Sequence, residues 1–191
     1  MTTYFTSDLH LGHANIIHLC KRPFSDVEAM DRALIDRWNA VVGPEDEVWV
    51  IGDFAYRNPK AAPAYLAQLQ GIKHLVTGNH DSTDTTRAKG WASVQALAEI
   101  DLKEDGAARH IVMCHYALRT WPRMAKGGLN FYGHSHGRLP GYQTTKGGGQ
   151  LDVGVDCWDF RPVSLTQILR RIRTLPVMPG GDHHYSGEEE L

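Results

Sequence analysis

The sequence predicts an α/β protein, and three observations carry that prediction. Short apolar runs rich in β-branched and aromatic residues (Met1 to Thr6, Glu47 to Ile51, Lys73 to Thr77) read as buried strands. Between them lie longer segments with apolar residues three and four apart, the spacing of helices. Each run also ends in a polar turn: Asp8 and His10, then Asp53, then Asn79-His80-Asp81. Functional groups gathered beyond the carboxyl ends of strands are the habit of open α/β sheets.

The first strand runs into Ser7-Asp8-Leu9-His10-Leu11-Gly12-His13. Residues two apart in extended backbone share a face. A carboxylate and an imidazole are therefore expected side by side at the strand end. Asn15 to Cys20 reads as a short helix ended before Pro23. Ser25-Asp26-Val27-Glu28 has the form of a capping box and opens a helix with Val27, Met30, Leu34, Trp38 and Val41 on one stripe. Gly43-Pro44 stops it. After the second strand and Gly52-Asp53, Asn58-Pro59 is expected to cap a helix through Gln70, with Gly71 at its stop. The third strand leads into Gly78-Asn79-His80-Asp81.

Ser82 to Gly90 is expected to hold a short helix. Gln95 to Leu102 and Arg109 to Met113 read as a hairpin around Asp105-Gly106, and the second arm runs into His115. Leu129 to Tyr132 is a further strand ending in Gly133-His134-Ser135-His136-Gly137. Leu139 to Gln150 shows no periodicity and is expected to be a loop. Leu151 to Val155 is a last strand, and Ser164-Leu165-Thr166-Gln167 caps a basic helix to about Leu175. One domain is expected over 1–175, with 176–191 a disordered tail because it carries no apolar pattern.

Composition narrows the function. The chain has 191 residues, 42% of them hydrophobic and 22% charged, which suits a globular domain with a real core. A formal net charge of −2 gives no basic footprint, so long duplex nucleic acid is not an expected partner, whereas a short oligonucleotide is compatible. No apolar run reaches membrane-spanning length and no signal-peptide pattern opens the chain. Cys20, Cys114 and Cys157 fit no CxxC spacing and read as free thiols of a cytoplasmic protein. The anomaly is the 11 histidines, several of them at strand ends.

Any one Asp or His at a strand end is ordinarily a solvated residue. Five strand ends carrying them in order are another matter. Asp8-x-His10, Gly52-Asp53, Gly78-Asn79-His80-Asp81, His115 and Gly133-His134-x-His136 together resemble the motif set of the calcineurin-like metallophosphoesterase superfamily. Val153-Gly154-Val155-Asp156 and Pro162-Val163-Ser164 are similar to its small bacterial or phage members. The resemblance implies a four-layer α/β/β/α sandwich of two mixed sheets flanked by helices, the metallo-dependent phosphatase fold.

It also implies two divalent metal ions: one held by Asp8, His10 and His136, the other by Asn79, His115 and His134, with Asp53 bridging. Mn is the first expectation, with Fe, Zn, Co or Ni as alternatives, because imidazole, amide and carboxylate donors suit them better than Mg or Ca. The reaction implied is hydrolysis of a phosphate mono- or diester by a metal-bridging hydroxide. His80 would be the non-ligand catalytic histidine, oriented by Asp81. His13, Arg57 and Arg119 are candidates for touching the phosphate. Two other readings are a nuclease for short single strands and a non-catalytic scaffold of the same fold. The physiological substrate and the oligomeric state are left open.

Overall fold

The computed structural model describes residues 1–56, 61–104 and 106–178, and every statement of structure concerns these. Ten strands form two five-stranded sheets. In the first, β1 (Thr3–Thr6), β2 (Glu47–Ile51), β3 (Ile72–Val76) and β4 (Trp91–Gln95) run parallel in that order, and β10 (Val163–Ser164) adds antiparallel beside β1. In the second, β5 (Leu97–Glu104) and β6 (Ala107–Cys114) form a hairpin. β7 (Leu129–Tyr132) and β9 (Gly149–Asp152) follow in parallel, and β8 (Tyr142–Gln143) lies antiparallel at the edge. Both sheets are mixed and flanked by helices, as the resemblance implies.

Alternation along β2 shows how the layers separate. Val48 and Val50 enter one core with Met30, Leu34 and Trp38 of α2 (Val27–Asn39), beside Ile16 and Ile17 of α1 (Ala14–Leu19). Trp49 and Ile51 point the other way, into a core with Phe5, Val76, Ile111, Met113, Leu129 and Phe131 between the sheets. The near-continuous burial of β2 follows, as expected of parallel strands covered on both faces. Helix α5 (Leu165–Ile172) packs Leu165, Ile168, Leu169 and Ile172 into this second core, and its capping box between Ser164 and Gln167 is present.

Several elements differ from the sequence reading. The cap of α2 is Asp26, which accepts the Ala29 N–H at 2.7 Å, and not Ser25, whose hydroxyl bonds Asp26 instead. Helix α3 (Ala61–Leu66) ends four residues before Gln70. The chain beyond it tightens, with Gln68 N and Leu69 N turning back three residues to Tyr65 O and Leu66 O, and Asn39 of α2 takes the Gln70 N–H that a longer helix would have used. The expected cap of α3 at Asn58-Pro59 lies outside the described residues. Helix α4 (Thr83–Thr86) is shorter than expected. The chain from Trp91 to Glu104 is two strands in different sheets, joined through Ala96. The expected loop after Leu139 contains β8 and the start of β9. Pro176 to Met178 pair with Gln143 and so extend the fold past 175, while the remainder of the expected tail, 179–191, lies outside the described residues.

Candidate metal centre

Five strand ends meet at one place. β1 delivers Asp8 and His10, β2 delivers Asp53, β3 delivers Asn79 to Asp81, β6 delivers His115, and β7 delivers His134 and His136. Ligand atoms of Asp8, His10 and His136 all lie within 4.8 Å of one another, and those of Asp8, Asp53 and His115 do likewise. Asp53 sits between two groups, its Oδ2 being 3.5 Å from His10 Nε2 and 3.4 Å from His115 Nε2. Asn79 Oδ1 is 3.0 Å from His115 Nε2, and the His134 ring lies 5.2 Å from the His115 ring.

The backbone that achieves this is not the extended chain expected after β1. Asp8 and His10 have φ of 56° and 50°, and Asp53, His134 and His136 are left-handed too. Five of the nine non-glycine residues with positive φ are thus expected ligands. Such conformations each cost on the order of 1–3 kcal/mol and persist where surrounding structure enforces them, most often at functional sites. Here the enforcement is visible. Asp8 N bonds Gly52 O at 3.0 Å, His10 N bonds Asp53 O at 2.9 Å, and His134 N donates to both Asp8 carboxylate oxygens.

Glycines give the close approach, Gly133 and Gly52 among them. A Cβ on Gly133 would overlap Ser7 Oγ and sit 2.5 Å from Asp8 Oδ2. At Gly52, with φ of +89°, a Cβ would run into the His115 ring and the Gly78 backbone.

Histidine tautomers are fixed from behind. His115 Nδ1 lies 2.9 Å from Ile51 O, which can only accept, so Nδ1 carries a proton and Nε2 faces Asp53 and Asn79. His136 Nδ1 lies 2.7 Å from Asp156 Oδ2, which leaves its Nε2 toward Asp8. His10 Nε2 is buried without a hydrogen-bond partner, while facing two carboxylates. A buried nitrogen of that kind is what a metal ligand looks like before the ion binds, and a set of four imidazoles, two carboxylates and an amide matches the softer divalent ions. The residues therefore fit the metals that the resemblance implies.

The charges agree. Burial pushes the Asp8 carboxyl up to about 7, against the pull of His136 and His115. Burial lowers His10 to about 3, so it is held as the neutral, ligating form. Burial would also lower His115, but Asp53 outweighs it and the imidazole rises to about 9. Burial would raise Asp53, yet the His115 and His80 N–H bonds hold it down at about 2.

Among the other expected residues, His80 stands with its ring 5.3 Å from that of His10, and its backbone N–H donates to Asp53 Oδ1 at 2.8 Å. His13 joins the cluster, 5.6 Å from His10 and 6.4 Å from His80. Asp81 is placed differently from expectation. Its carboxylate accepts from Gly78 N, Asp53 N and Phe54 N, so it fastens the Asp53 loop and makes no bond to the His80 ring among the described residues. Arg119 is exposed and makes no hydrogen bond to a site residue among the described residues. Arg57 lies outside them.

Sequence reasoning missed Arg22, and quoted Asp156 within a motif without giving it a role. Arg22 is buried, pairs with Asp156 through two 2.8 Å contacts, and donates to the carbonyls of Leu9 and Asp8. It is the only arginine buried among the described residues, but no local pattern announces that burial. Asp152 was also missed: it accepts from Ser135 Oγ and Gly137 N and so holds the turn that carries His136.

Comparison with known proteins gives the family. A "Gene 66 protein" of Mycobacterium phage L5 is 28% identical over 182 residues, covering 82% of this chain and 87% of its own. An uncharacterized protein of Methanocaldococcus jannaschii is 46% identical over 80 residues, covering 41% of this chain and 46% of its own. A crystal structure of a protein of unknown function from Aquifex aeolicus superposes with a TM-score of 0.63 at 22% identity, covering 90% of this chain and 99% of that one, which shows the shared fold. The family model of the calcineurin-like phosphoesterases, for which metal-dependent phosphoester hydrolysis is implied, matches residues 1–183. The chain belongs to the calcineurin-like phosphoesterase family.

Proposed function

We propose that this protein hydrolyses phosphate mono- or diesters at a pair of divalent ions, manganese first among them. The observation that carries the reading is the position of Asp53 Oδ2, within 3.5 Å of His10 Nε2 and 3.4 Å of His115 Nε2. One carboxylate oxygen serves two ligand groups. Asp8, His10 and His136 would hold one ion, Asn79, His115 and His134 the other, and Asp53 both. The chemistry that two ions would supply there is polarisation of the phosphoryl oxygens and a lowered pKa for water.

The chain's own residues supply the rest. The Asp156 and Ile51 contacts hold His136 and His115 with Nε2 turned inward. His80 ligates nothing in this scheme; its ring, 5.3 Å from that of His10, would stabilise the phosphoryl charge or give a proton to the departing oxygen. His13, its ring 6.4 Å from that of His80, would touch the phosphate. The completeness of the ligand set favours an enzyme over a scaffold that kept only the fold. Three free cysteines support a cytoplasmic site of action. Among the described residues, no helix is long and apolar enough to cross a membrane.

The test is hydrolysis of a nitrophenyl phosphate monoester and a bis-nitrophenyl diester by metal-stripped protein reloaded with Mn, Zn, Fe, Co, Ni or Mg in turn. Asp53→Asn serves as the blank. Metal-dependent turnover that the blank lacks is expected. Two bound metals without turnover of either ester would return weight to the scaffold reading.

A further inference from the structure

Among the described residues only two aromatic side chains are exposed, Tyr56 at 42% and Tyr116 at 48%. Tyr56 rests on His13 beside the metal centre, and Tyr116 on two of its expected ligands. Tyr56 meets the His13 ring at 4.2 Å between centroids, and Tyr116 meets His134 at 4.8 Å and His115 at 5.3 Å. A row of contacts joins them: Tyr56 to His13, His13 to His10 at 5.6 Å, His10 to Asp53 at 3.5 Å, Asp53 to His115 at 3.4 Å, and His115 to Tyr116. Tyr56 thus borders the group of Asp8, His10 and His136. Tyr116 borders the group of Asn79, His115 and His134.

Leaving aromatic surface in water forgoes burial that every other described Phe, Tyr and Trp at least partly achieves. The exception occurs twice, once on each flank of the centre. A ligand with a flat aromatic group on either side of a phosphate would use both rings. Single-stranded nucleic acid has that chemistry, with a base before and a base after each phosphodiester, and base–tyrosine stacking is tolerant of sequence. Bases in a duplex are already paired and stacked, and a chain of net charge −2 has no footprint for one.

We propose that Tyr56 and Tyr116 are stacking platforms for the two bases that flank the scissile phosphate of a short single-stranded nucleic acid, an assignment that rests on the phosphoesterase reading above. In the reaction, a water oxygen bonds to phosphorus and the bond from phosphorus to one sugar oxygen breaks. The water's proton ends on that sugar oxygen, giving a phosphomonoester and a hydroxyl.

The experiment uses the metal-loaded full chain and two labelled strands of equal length with hydrolysis-resistant phosphorothioate backbones, one an oligothymidylate and the other abasic. Binding is read by fluorescence anisotropy for wild type, Tyr56→Ala, Tyr116→Ala and the two Phe variants. Each Ala variant is expected to bind the thymidylate strand roughly 5- to 150-fold more weakly, the range of one lost stack. The Phe variants should bind it as wild type does. The abasic strand should bind all five proteins alike. Ala variants that bind the thymidylate strand as tightly as wild type would overturn the proposal. So would equal losses on both strands together with lost metal, since the tyrosines would then only support the ligand rings. Should the loaded wild type hydrolyse no nitrophenyl ester, the phosphoesterase reading fails, and anisotropy still decides on the platforms.

Discussion

Arg22 and Asp156, 134 residues apart, form a buried two-pronged ion pair, Nε to Oδ1 and a terminal nitrogen to Oδ2, each at 2.8 Å. The pair holds both halves of one ligand group. Arg22 also bonds the carbonyls of Asp8 and Leu9 at 2.7 and 2.9 Å, and Asp156 accepts the Nδ1 proton of His136 at 2.7 Å. Removing Arg22 leaves the largely buried Asp156 carboxylate to His136 alone among the described residues and takes that donor from the Asp8 and Leu9 carbonyls. Arg22→Met is therefore expected to cost about 3–5 kcal/mol in urea unfolding of the metal-free protein. Asp156→Ala frees the His136 ring and should weaken metal binding by about 10- to 100-fold at one of two sites. Calorimetric titration would then show one tight and one weakened site; equal weakening of both would contradict the arrangement.

Glycine is required at position 133 for space. The φ there is not left-handed, so the constraint is space: a Cβ would occupy the place of Ser7 Oγ and press on Asp8. Gly106 reverses the situation: φ is +77° and nothing lies within 4 Å of the place a Cβ would take. Gly106→Ala should cost about 1 kcal/mol, the penalty of a left-handed residue. Gly133→Ala should cost about 3 kcal/mol and displace the Asp8 carboxylate. Denaturation midpoints and metal stoichiometry of the two variants give the comparison.

What the sequence showed and what it hid divide along physical lines. The expected ligands are local, each tied to a strand end, and apolar runs locate strand ends well. Asp8 and His10 are together as expected, yet for another reason: two left-handed residues pinned by Gly52 O and Asp53 O, where the sequence argued from extended chain. Arg22 with Asp156 was not legible, because pairing across 134 residues depends on tertiary closure that periodicity does not record. Strand β4 escaped because its burial alternates only between half-buried and exposed, and it passes into β5 through a single residue without glycine or proline. Tyr56 and Tyr116 looked like any aromatic residues until their exposure was known.

His115 and Asp53 give the metal-free protein a pH dependence of definite sign. The His115 imidazole is raised from 6.5 to about 9, with Asp53 outweighing burial. Its stabilisation is complete below pH 6.5 and is lost as pH rises toward 9. Asp53 is lowered from 3.8 to about 2, so its contribution is present above pH 3.8 and is lost as pH falls toward 2. The urea midpoint of metal-stripped protein is expected to decline between pH 6.5 and 9, and His115→Gln should lack that component of the slope. A bound ion must replace the proton on His115 Nε2, so metal uptake should release protons and tighten across the same interval. Titrations in two buffers of different ionisation heat would count those protons.

His80 and Asp81 are neighbours with separable roles, and substitution should divide them. The bond from His80 to Asp53 is made by the backbone N–H, which an alanine retains. His80→Ala is therefore expected to bind both metals and to lose roughly 10²- to 10⁴-fold in turnover, the usual worth of a positioned general acid. A good leaving group needs less help, so the loss should shrink from an alkyl ester to a nitrophenyl ester. Asp81 works through three N–H groups, two of them at Asp53 and Phe54, and holds the turn from which the shared carboxylate projects. Asp81→Ala strands those donors, at about 1–3 kcal/mol for each one left unsatisfied. It should lower the unfolding free energy and the metal content together, with turnover falling as metal is lost. A His80→Ala protein that turned over an alkyl phosphate at the wild-type rate would remove His80 from the chemistry. An Asp81→Ala protein with full metal content and low turnover would instead place Asp81 behind the His80 ring.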